Sequence, residues 1–392
     1  MKRTVVMTIL ILLVAGVWFW PRHEVGLRVI VMAAHSGSMG GRDAAMVETL
    51  RRTLNRVTES NVVVEVVDSL LSRDDMQMRF DEILAKGPVA AVLGCGDSAC
   101  VRQVLPVLEQ SDLVLLYPGS SEGLFKSRHV IHLGVVANQY LFPAVSWVRQ
   151  NLGGRIQFLG TESARSAMLL RLISRQLLVT RDAQIVASDF MSNIEQLPSI
   201  IDKINFFKAD VLVMDACEWM FDRQFNRELS KTGVKIFSLC VDQSPPSGVD
   251  MYFISHYFEN PHNHEIHRLK ADLRDDLDGL TILSELSATW LGEAFNRGRT
   301  LDNRSLLEFV LGRNALTAGG AITVDHAFQG TWHTLYIAQV RNNEQQLLWI
   351  SNTAIRPVMF PGLEAPSDWL HNLTIYWRNA GGLWRATSVG KH

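Results

Sequence analysis

The sequence predicts an α/β fold of two lobes, in which helices cover parallel sheets and a hinge joins the lobes. Short apolar runs alternate with helical periodicity from Gly26 onward, in one block to about Trp147 and a second block to about Ile254. A mainly helical stretch at about 265–311 and a late β pattern after Gly320 follow. Two α/β blocks with later return segments indicate that the chain crosses between the lobes more than once.

Seven short apolar runs are predicted as buried strands. They are Leu27–Ala33, Val62–Val67, Val89–Gly94, Leu113–Tyr117, Arg155–Leu159, Val211–Asp215 and Lys235–Val241. Helical spacing lies between them, as where Met46, Leu50 and Leu54 recur at intervals of four residues. Buried strands that alternate with helices form parallel sheets covered on both faces. The late β pattern comprises Ala321–Val324, Trp332–Val340 and Gln346–Ile350.

The same pattern divides the chain into a leader, two lobes and a tail. Residues 1–25 are predicted to be a signal anchor or a signal peptide. The first lobe is predicted to combine residues 26–146 with about 258–313, and the second to combine 147–257 with about 314–356. Residues 357–392 are expected to form a C-terminal tail that packs on the lobes.

The N-terminal segment predicts export. Lys2 and Arg3 precede the apolar run Val5–Trp20, which is short for a membrane span and typical of a signal anchor. The positive charge keeps the N-terminus in the cytoplasm, so the remainder is predicted to be periplasmic. Val17 stands where a lipoprotein would carry its acylated cysteine. We favour a helix that anchors the protein in the inner membrane, with cleavage near Gly16 as the alternative.

Composition excludes several classes of function. The formal net charge of −2 leaves no basic excess to hold a phosphate backbone, so we expect no nucleic-acid partner. The four cysteines do not have the paired spacing of a zinc site, and we expect neither a metal nor another cofactor. A Cys95–Cys100 disulfide would fit an oxidising compartment.

An enzyme is also disfavoured. Residues 119–123 fit G-x-S-x-G, the nucleophile elbow of hydrolases. That motif requires a helix directly after the serine, and the apolar run at 129–133 begins too soon to allow one. We find no other pairing of a nucleophile with a base.

Several segments, in order along the chain, resemble one family. The segment Gly94–Ala99 is similar to the binding loop of urea- and short-amide-type solute receptors, within the branched-chain amino-acid receptor superfamily. Further similar segments are Tyr117-Pro118, Glu122–Leu124, Asn138-Gln139, Ile322–Asp325, Ser367–Leu370 and Gly381–Trp384. The resemblance implies a type I periplasmic-binding-protein fold with two Rossmann-like lobes around a hinge.

The sequence also departs from this family at positions that would line the pocket. Gly96 and Ser121 stand where the family usually has bulky or aromatic residues, and Ser255 replaces a tryptophan. We therefore expect a pocket that is wider and more polar than a urea site. The fold is implied by the resemblance, but urea as the ligand is not.

Candidate ligand-binding residues follow the predicted strands of both lobes, because ligands in such sheets bind beyond the carboxyl ends of the strands. The first-lobe candidates are small or hydroxyl-bearing: Ser38, Asp97, Ser98, Gly119, Ser120 and Ser121. The second-lobe candidates are Ser163, Arg165, Asp215, Glu218 and Asp242. Carboxylates there would meet an ammonium or amide N–H, whereas Arg165 would meet a carboxylate. Ordinary turn and helix-capping roles are the alternative, and the charge of the ligand stays open.

The resemblance implies an extracytoplasmic receptor that closes its lobes over a small polar solute and presents it to an ABC permease. The solute would be an amide, urea-like or amino-acid-like. The alternative is a ligand-sensing regulatory or interaction module of the same fold, anchored in the membrane and acting on a membrane sensor.

Overall fold

The computed structural model describes residues 26–36, 40–259, 264–273, 277–298, 302–342 and 344–384. The predicted N-terminal anchor, residues 1–25, lies outside the described residues. Among the helices of the described ranges, none is long and apolar enough to cross a membrane.

The first lobe is built on a parallel sheet of five described strands in the order β2-β1-β3-β4-β5. These strands are β1 Leu27–Ala33, β2 Val62–Asp68, β3 Ala91–Gly94, β4 Leu115–Tyr117 and β5 Val130–His132. The predicted strand at Leu27–Ala33 coincides with β1, in which six of the seven residues are buried. Near-continuous apolar runs fit strands with helices on both faces.

The second lobe is built on a sheet of seven described strands in the order β15-β14-β10-β9-β8-β6-β7. Its strands are β6 Arg155–Thr161, β7 Gln184–Met191, β8 Val211–Met214, β9 Lys235–Ser238, β10 Met251–Ser255, β14 Tyr336–Arg341 and β15 Glu344–Ile350. The strands β6 to β10 pair in parallel, and β14 and β15 add an antiparallel edge.

A small antiparallel sheet contains β11 Asn314–Thr317, β12 Gly320–Val324 and β13 Thr331–Trp332. The prediction of one continuous strand over Trp332–Val340 is therefore wrong. The chain leaves β13 at Trp332 and enters β14 of the second sheet at Tyr336. His333 forms a two-way backbone bridge with Ile355 between them. An apolar run alone does not mark where a chain changes sheets.

Helices cover both main sheets. They are α1 Gly40–Val57, α2 Arg73–Leu84, α3 Ser98–Ser111, α4 Ala137–Asn151, α5 Ala164–Thr180, α6 Leu197–Phe207, α7 Arg223–Ser230, α8 His264–Leu273, α9 Gly279–Gly298, α10 Asn303–Val310 and α11 Pro366–Asn379. The core of the first lobe includes buried residues of α1, α9 and α10 on one side of the sheet. In the tail, α11 buries Trp369 and Leu373 in the core of the second lobe. The lobe boundaries drawn from the sequence stay a prediction.

Buried histidines lie where the chain passes between the lobes. The rings of His256 and His333 are 5.2 Å apart between centroids. The ring of His132 packs 4.8 Å from that of Phe125, and neither of its nitrogens has a hydrogen-bond partner among the described residues. Burial lowers the pKa of His132 to about 4 and that of His333 to about 3.

These two histidines predict a loss of stability in acid. An unfolded histidine has a pKa near 6.5, so below that pH the unfolded chain binds protons that the native state rejects. The free energy of unfolding should fall as the pH drops from 6.5 towards 4, by about 3 kcal/mol per group at pH 4.5. Urea unfolding at pH 7 and pH 4.5 measures this difference.

His132→Phe should reduce the fall in unfolding free energy between pH 7 and pH 4.5 by the contribution of His132. The matched control is His326→Gln, because His326 is exposed and its replacement removes no buried histidine. An unchanged pH dependence in His132→Phe would contradict the assignment.

Candidate functional site

The carboxyl ends of strands from both lobes face one another across a cavity of about 70 Å³. This volume has room for roughly five ordered water molecules or one small solute. The residues that line it are Arg42, Gly96, Asp97, Ser98, Ala99, Arg102, Ser120, Thr161, Ser163, Ala164, Arg165, Asp215, Cys217, Glu218, Cys240, Val241, Asp242, Gln243 and Trp384.

The loop between β3 and α3 forms one wall of the cavity. The Cys95–Cys100 disulfide closes this loop, and a side-chain oxygen of Asp97 accepts a hydrogen bond from the Cys100 N–H at 2.9 Å. Asp97 therefore caps α3 and directs the first turn of that helix, which begins at Ser98, at the cavity. A Cβ on Gly119 would lie 2.8 Å from the Gly96 carbonyl oxygen, so glycine lets the two loops pack closely.

A second disulfide fixes the opposite wall. Cys217 follows β8, Cys240 follows β9, and their bond ties the two loops that carry Glu218 and Asp242. No local sequence pattern predicts this pairing, because 23 positions separate the two cysteines. In the third loop of this wall, the Ser163 hydroxyl accepts from the Ser166 N–H at 3.2 Å and caps α5.

Arg165, in the first turn of α5, crosses the cavity and touches both lobes. Its Nε donates to Asp215 at 3.2 Å, and its Nη2 donates to the Tyr140 hydroxyl at 3.1 Å. Its Nη1 donates to the carbonyl oxygen of Ser120 in the first lobe at 3.0 Å. The pocket expected to be wide at Gly96 is therefore narrowed by a guanidinium from the other lobe.

Asp242 makes a second bridge between the lobes. Its Oδ2 accepts a hydrogen bond from the Ser120 N–H at 3.0 Å and lies 3.5 Å from Arg42 Nη2. Its Oδ1 lies 3.4 Å from Nε2 of His256. Burial by itself would raise the pKa of Asp242, but His256, Arg42 and the Ser120 bond hold it well below its ordinary value. The group is therefore a carboxylate at neutral pH.

A buried ion pair supports the first-lobe side. Arg102 donates to Glu122, whose side chain is fully buried. The Arg102 guanidinium also lies 5.2 Å from the ring centroid of Trp384, a residue of the C-terminal tail. The Trp384 carbonyl oxygen accepts from the Ala164 N–H at 2.9 Å, at the start of α5. The tail thus contacts both lobes beside the cavity.

Most residues predicted from the sequence lie together in this cavity. They are Asp97, Ser98, Ser120, Ser163, Arg165, Asp215, Glu218 and Asp242. Gly119 and Ser121 are not part of the lining, since Gly119 packs under the β3–α3 loop and Ser121 is buried, accepting from the Gly123 N–H at 3.2 Å. Ser38 lies outside the described residues. A ligand-binding role for these residues stays a prediction.

Arg42, Arg102 and Trp384 also line the cavity, although the sequence pattern did not predict them. Arg42 lies at the start of α1, and the Gly-Gly pair before it was the signal that could have placed it beyond a strand end. Arg102 lies inside α3 and Trp384 lies far along the chain, so no local pattern connects them.

The class of protein follows from this fold and cleft. Residues 27–366 match the periplasmic binding protein domain family, and the chain belongs to that family. It has the α/β type I periplasmic-binding fold with parallel sheets, and the family implies an extracytoplasmic location. Members of this class are solute-binding proteins rather than enzymes. Two disulfides agree with an oxidising compartment.

Solved structures of solute-binding proteins share this fold. A Rhodopseudomonas palustris ABC-transporter protein in complex with 3,4-dihydroxybenzoic acid has a TM-score of 0.74 at 14% identity, covering 85% of this chain and 98% of that chain. A leucine-binding protein of Thermotoga maritima has a TM-score of 0.69 at 16% identity, covering 83% and 99%. An amino acid ABC transporter protein of Pseudomonas fluorescens has a TM-score of 0.68 at 13% identity, covering 84% and 96%. At these identities the likeness concerns the fold.

Glu122→Gln should destabilise the protein strongly. The substitution leaves the Arg102 charge buried without its counterion, which costs about 3–5 kcal/mol of unfolding free energy. Denaturant unfolding at neutral pH measures the effect. Glu228→Gln is the matched control, because Glu228 pairs with Lys231 on the surface and its loss should leave stability unchanged within error. Equal stability of the two variants would contradict the assignment.

Proposed function

We propose that this protein is a receptor that captures a small polar solute between its lobes and presents it to an ABC permease. The observation that carries the proposal is the cavity itself, where hydroxyls, backbone N–H groups and charges of both signs converge from both lobes. Such a site binds by hinge closure, in which the solute adds contacts available only when the lobes meet. The permease would recognise the closed form.

The side chains of the cavity favour an amino-acid-like solute over an amide or urea. Three buried guanidinium nitrogens, Nε and Nη2 of Arg42 and Nε of Arg102, make no hydrogen bond to a described residue. Those of Arg42 have only longer ion-pair contacts, at 3.5 Å from Asp242 and 3.7 Å from Asp278. Acceptors for these donors are best supplied by a carboxylate. The acidic wall of Asp215 and Asp242 would receive an ammonium group. Urea carries neither charge, and its single carbonyl oxygen would accept from these donors less strongly than a carboxylate would.

The first test is a thermal-shift and calorimetric screen of amino acids, simple amides, urea and benzoate. A solute present at 100 times its Kd adds about 2.7 kcal/mol to the unfolding free energy, so amino acids should raise the melting temperature most. Arg42→Gln should lose at least tenfold in affinity for the solute found, whereas Arg223→Gln, an exposed arginine at the start of α7, should bind normally.

Two outcomes would count against this assignment. Tight binding of urea, with no response to amino acids, would reject the charge argument. The absence of binding by every compound would reject solute capture and favour the second function below.

A regulatory or interaction module of the same fold is the second candidate function. It is favoured by the contacts of Ser120, whose N–H and carbonyl groups are engaged by Asp242 and Arg165 of the opposite lobe. A protein whose lobes are joined by its own side chains would present a closed surface to a membrane sensor. Binding of that partner in the absence of any added solute would distinguish this function from transport.

We also propose that residues 1–25 tether the receptor to the inner membrane. The basic flank of Lys2 and Arg3 and the run Val5–Trp20 support this, and Val17 removes the site of lipid attachment. The protein should fractionate with membranes and carry no lipid by mass spectrometry. Recovery of a soluble periplasmic form that begins near Val17 would contradict the tether.

A further inference from the structure

Three groups around Asp242 form a site for an anion. The Ser120 N–H donates to its carboxylate at 3.0 Å, Arg42 Nη2 lies at 3.5 Å and His256 Nε2 lies at 3.4 Å. Ser120, Asp242 and His256 are each less than 6% exposed. Donors of this kind in a buried setting bind a carboxylate more strongly than they would in water.

The position of Asp242 is fixed by its backbone. The loop that carries it is tied to the neighbouring loop by the Cys217–Cys240 disulfide. Its carbonyl oxygen accepts from the Gly279 N–H at 3.0 Å. A Cβ on Gly279 would come within 3.2 Å of the Asp242 Cα and within 2.4 Å of His256 Nε2, so glycine permits this close approach. The disulfide fixes the loop within the second lobe, and the Gly279 contact adds a backbone hydrogen bond between the Asp242 loop and the start of α9.

We propose that Asp242 is an internal latch, a carboxylate of the second lobe that fills an anion site of Ser120, Arg42 and His256 and thereby closes the lobes. The donors lie on the first lobe and at the crossing that follows β10, whereas the acceptor lies on the loop after β9. A solute that brings its own carboxylate must displace Asp242 from Ser120. Only this last step rests on the proposed receptor function, because closure by the latch needs no solute.

The latch predicts how the cleft responds when its carboxylate is removed. In Asp242→Ala of the full-length chain, the Ser120 amide loses its acceptor, and Arg165 of the opposite lobe should lose its contact with Ser120 as the lobes separate. Hydrogen–deuterium exchange with mass spectrometry should therefore show faster exchange in peptides that cover residues 118–122 and 163–167. The wild-type protein should protect both peptides without added solute.

Adding acetate to Asp242→Ala tests the latch directly, because acetate can occupy the site of the carboxylate that alanine lacks. Acetate, but not chloride at the same concentration, should restore protection of both peptides in Asp242→Ala. The matched control is Asp278→Asn, since Asp278 lies 3.7 Å from the same Arg42 but its carboxylate accepts its hydrogen bond from the Thr281 N–H in the first turn of α9. That variant should keep wild-type protection and show no response to acetate.

The same experiment can overturn the latch. Loss of protection confined to the Ser120 peptide, or no recovery with acetate, would show that Asp242 does not hold the lobes together. Circular dichroism checks that Asp242→Ala is folded. If it is not, the same exchange measurement is made on Asp242→Asn, whose side chain has the same shape as aspartate but no charge. The two proposals are tested separately. A negative result with acetate contradicts the latch but not the receptor function, and a negative solute screen contradicts the receptor function but not the latch.

Discussion

The guanidinium of Arg165 is the group on which the geometry of the cleft depends. A largely buried cation is tolerated only when acceptors surround it, and the acceptors of Arg165 come from different parts of the fold. Asp215 belongs to the same lobe as Arg165, Tyr140 lies on α4 after the crossing from β5, and Ser120 belongs to the opposite lobe. The loop after β4 and the first turn of α5 must therefore keep one relative position whenever the charge is buried. The small volume of the cavity follows from this requirement.

Two disulfides restrict the conformations of the loops around Arg165. The Cys95–Cys100 bond closes the turn that carries Asp97, and the Cys217–Cys240 bond joins the two loops of the second lobe. Both bonds lie beyond the carboxyl ends of strands, in the loops that line the cavity. A loop held in its binding conformation loses less entropy when it meets a ligand or the opposite lobe. The same bonds require the oxidising environment that export of the chain would provide.

Sequence patterns predicted most strands of the two main sheets, including the edge strands β2 and β15, but not the interior strand β10 or the edge strand β7. The strand at Leu27–Ala33 lies next to the middle of its sheet, and its apolar run marks it from end to end. The edge strand β7 was not predicted, because Gln184 and Asp189 interrupt its apolar pattern where one side of the strand faces solvent. A strand with two covered faces must be apolar throughout, whereas an edge strand has no such requirement.

The sequence by itself determined that strands and helices alternate in two blocks, and hence that the loops after parallel strands meet at one edge of each sheet. This alternation alone predicts that Asp97, Ser98, Ser120, Asp215 and Asp242 lie close to one another. Only the tertiary structure decided which of these groups pair. Ser120 and Asp242, which pair with each other, are 122 positions apart along the chain, and Trp384 reaches Arg102 from the C-terminal tail. Local periodicity reflects burial, but the pairing of buried charges depends on how the two lobes meet.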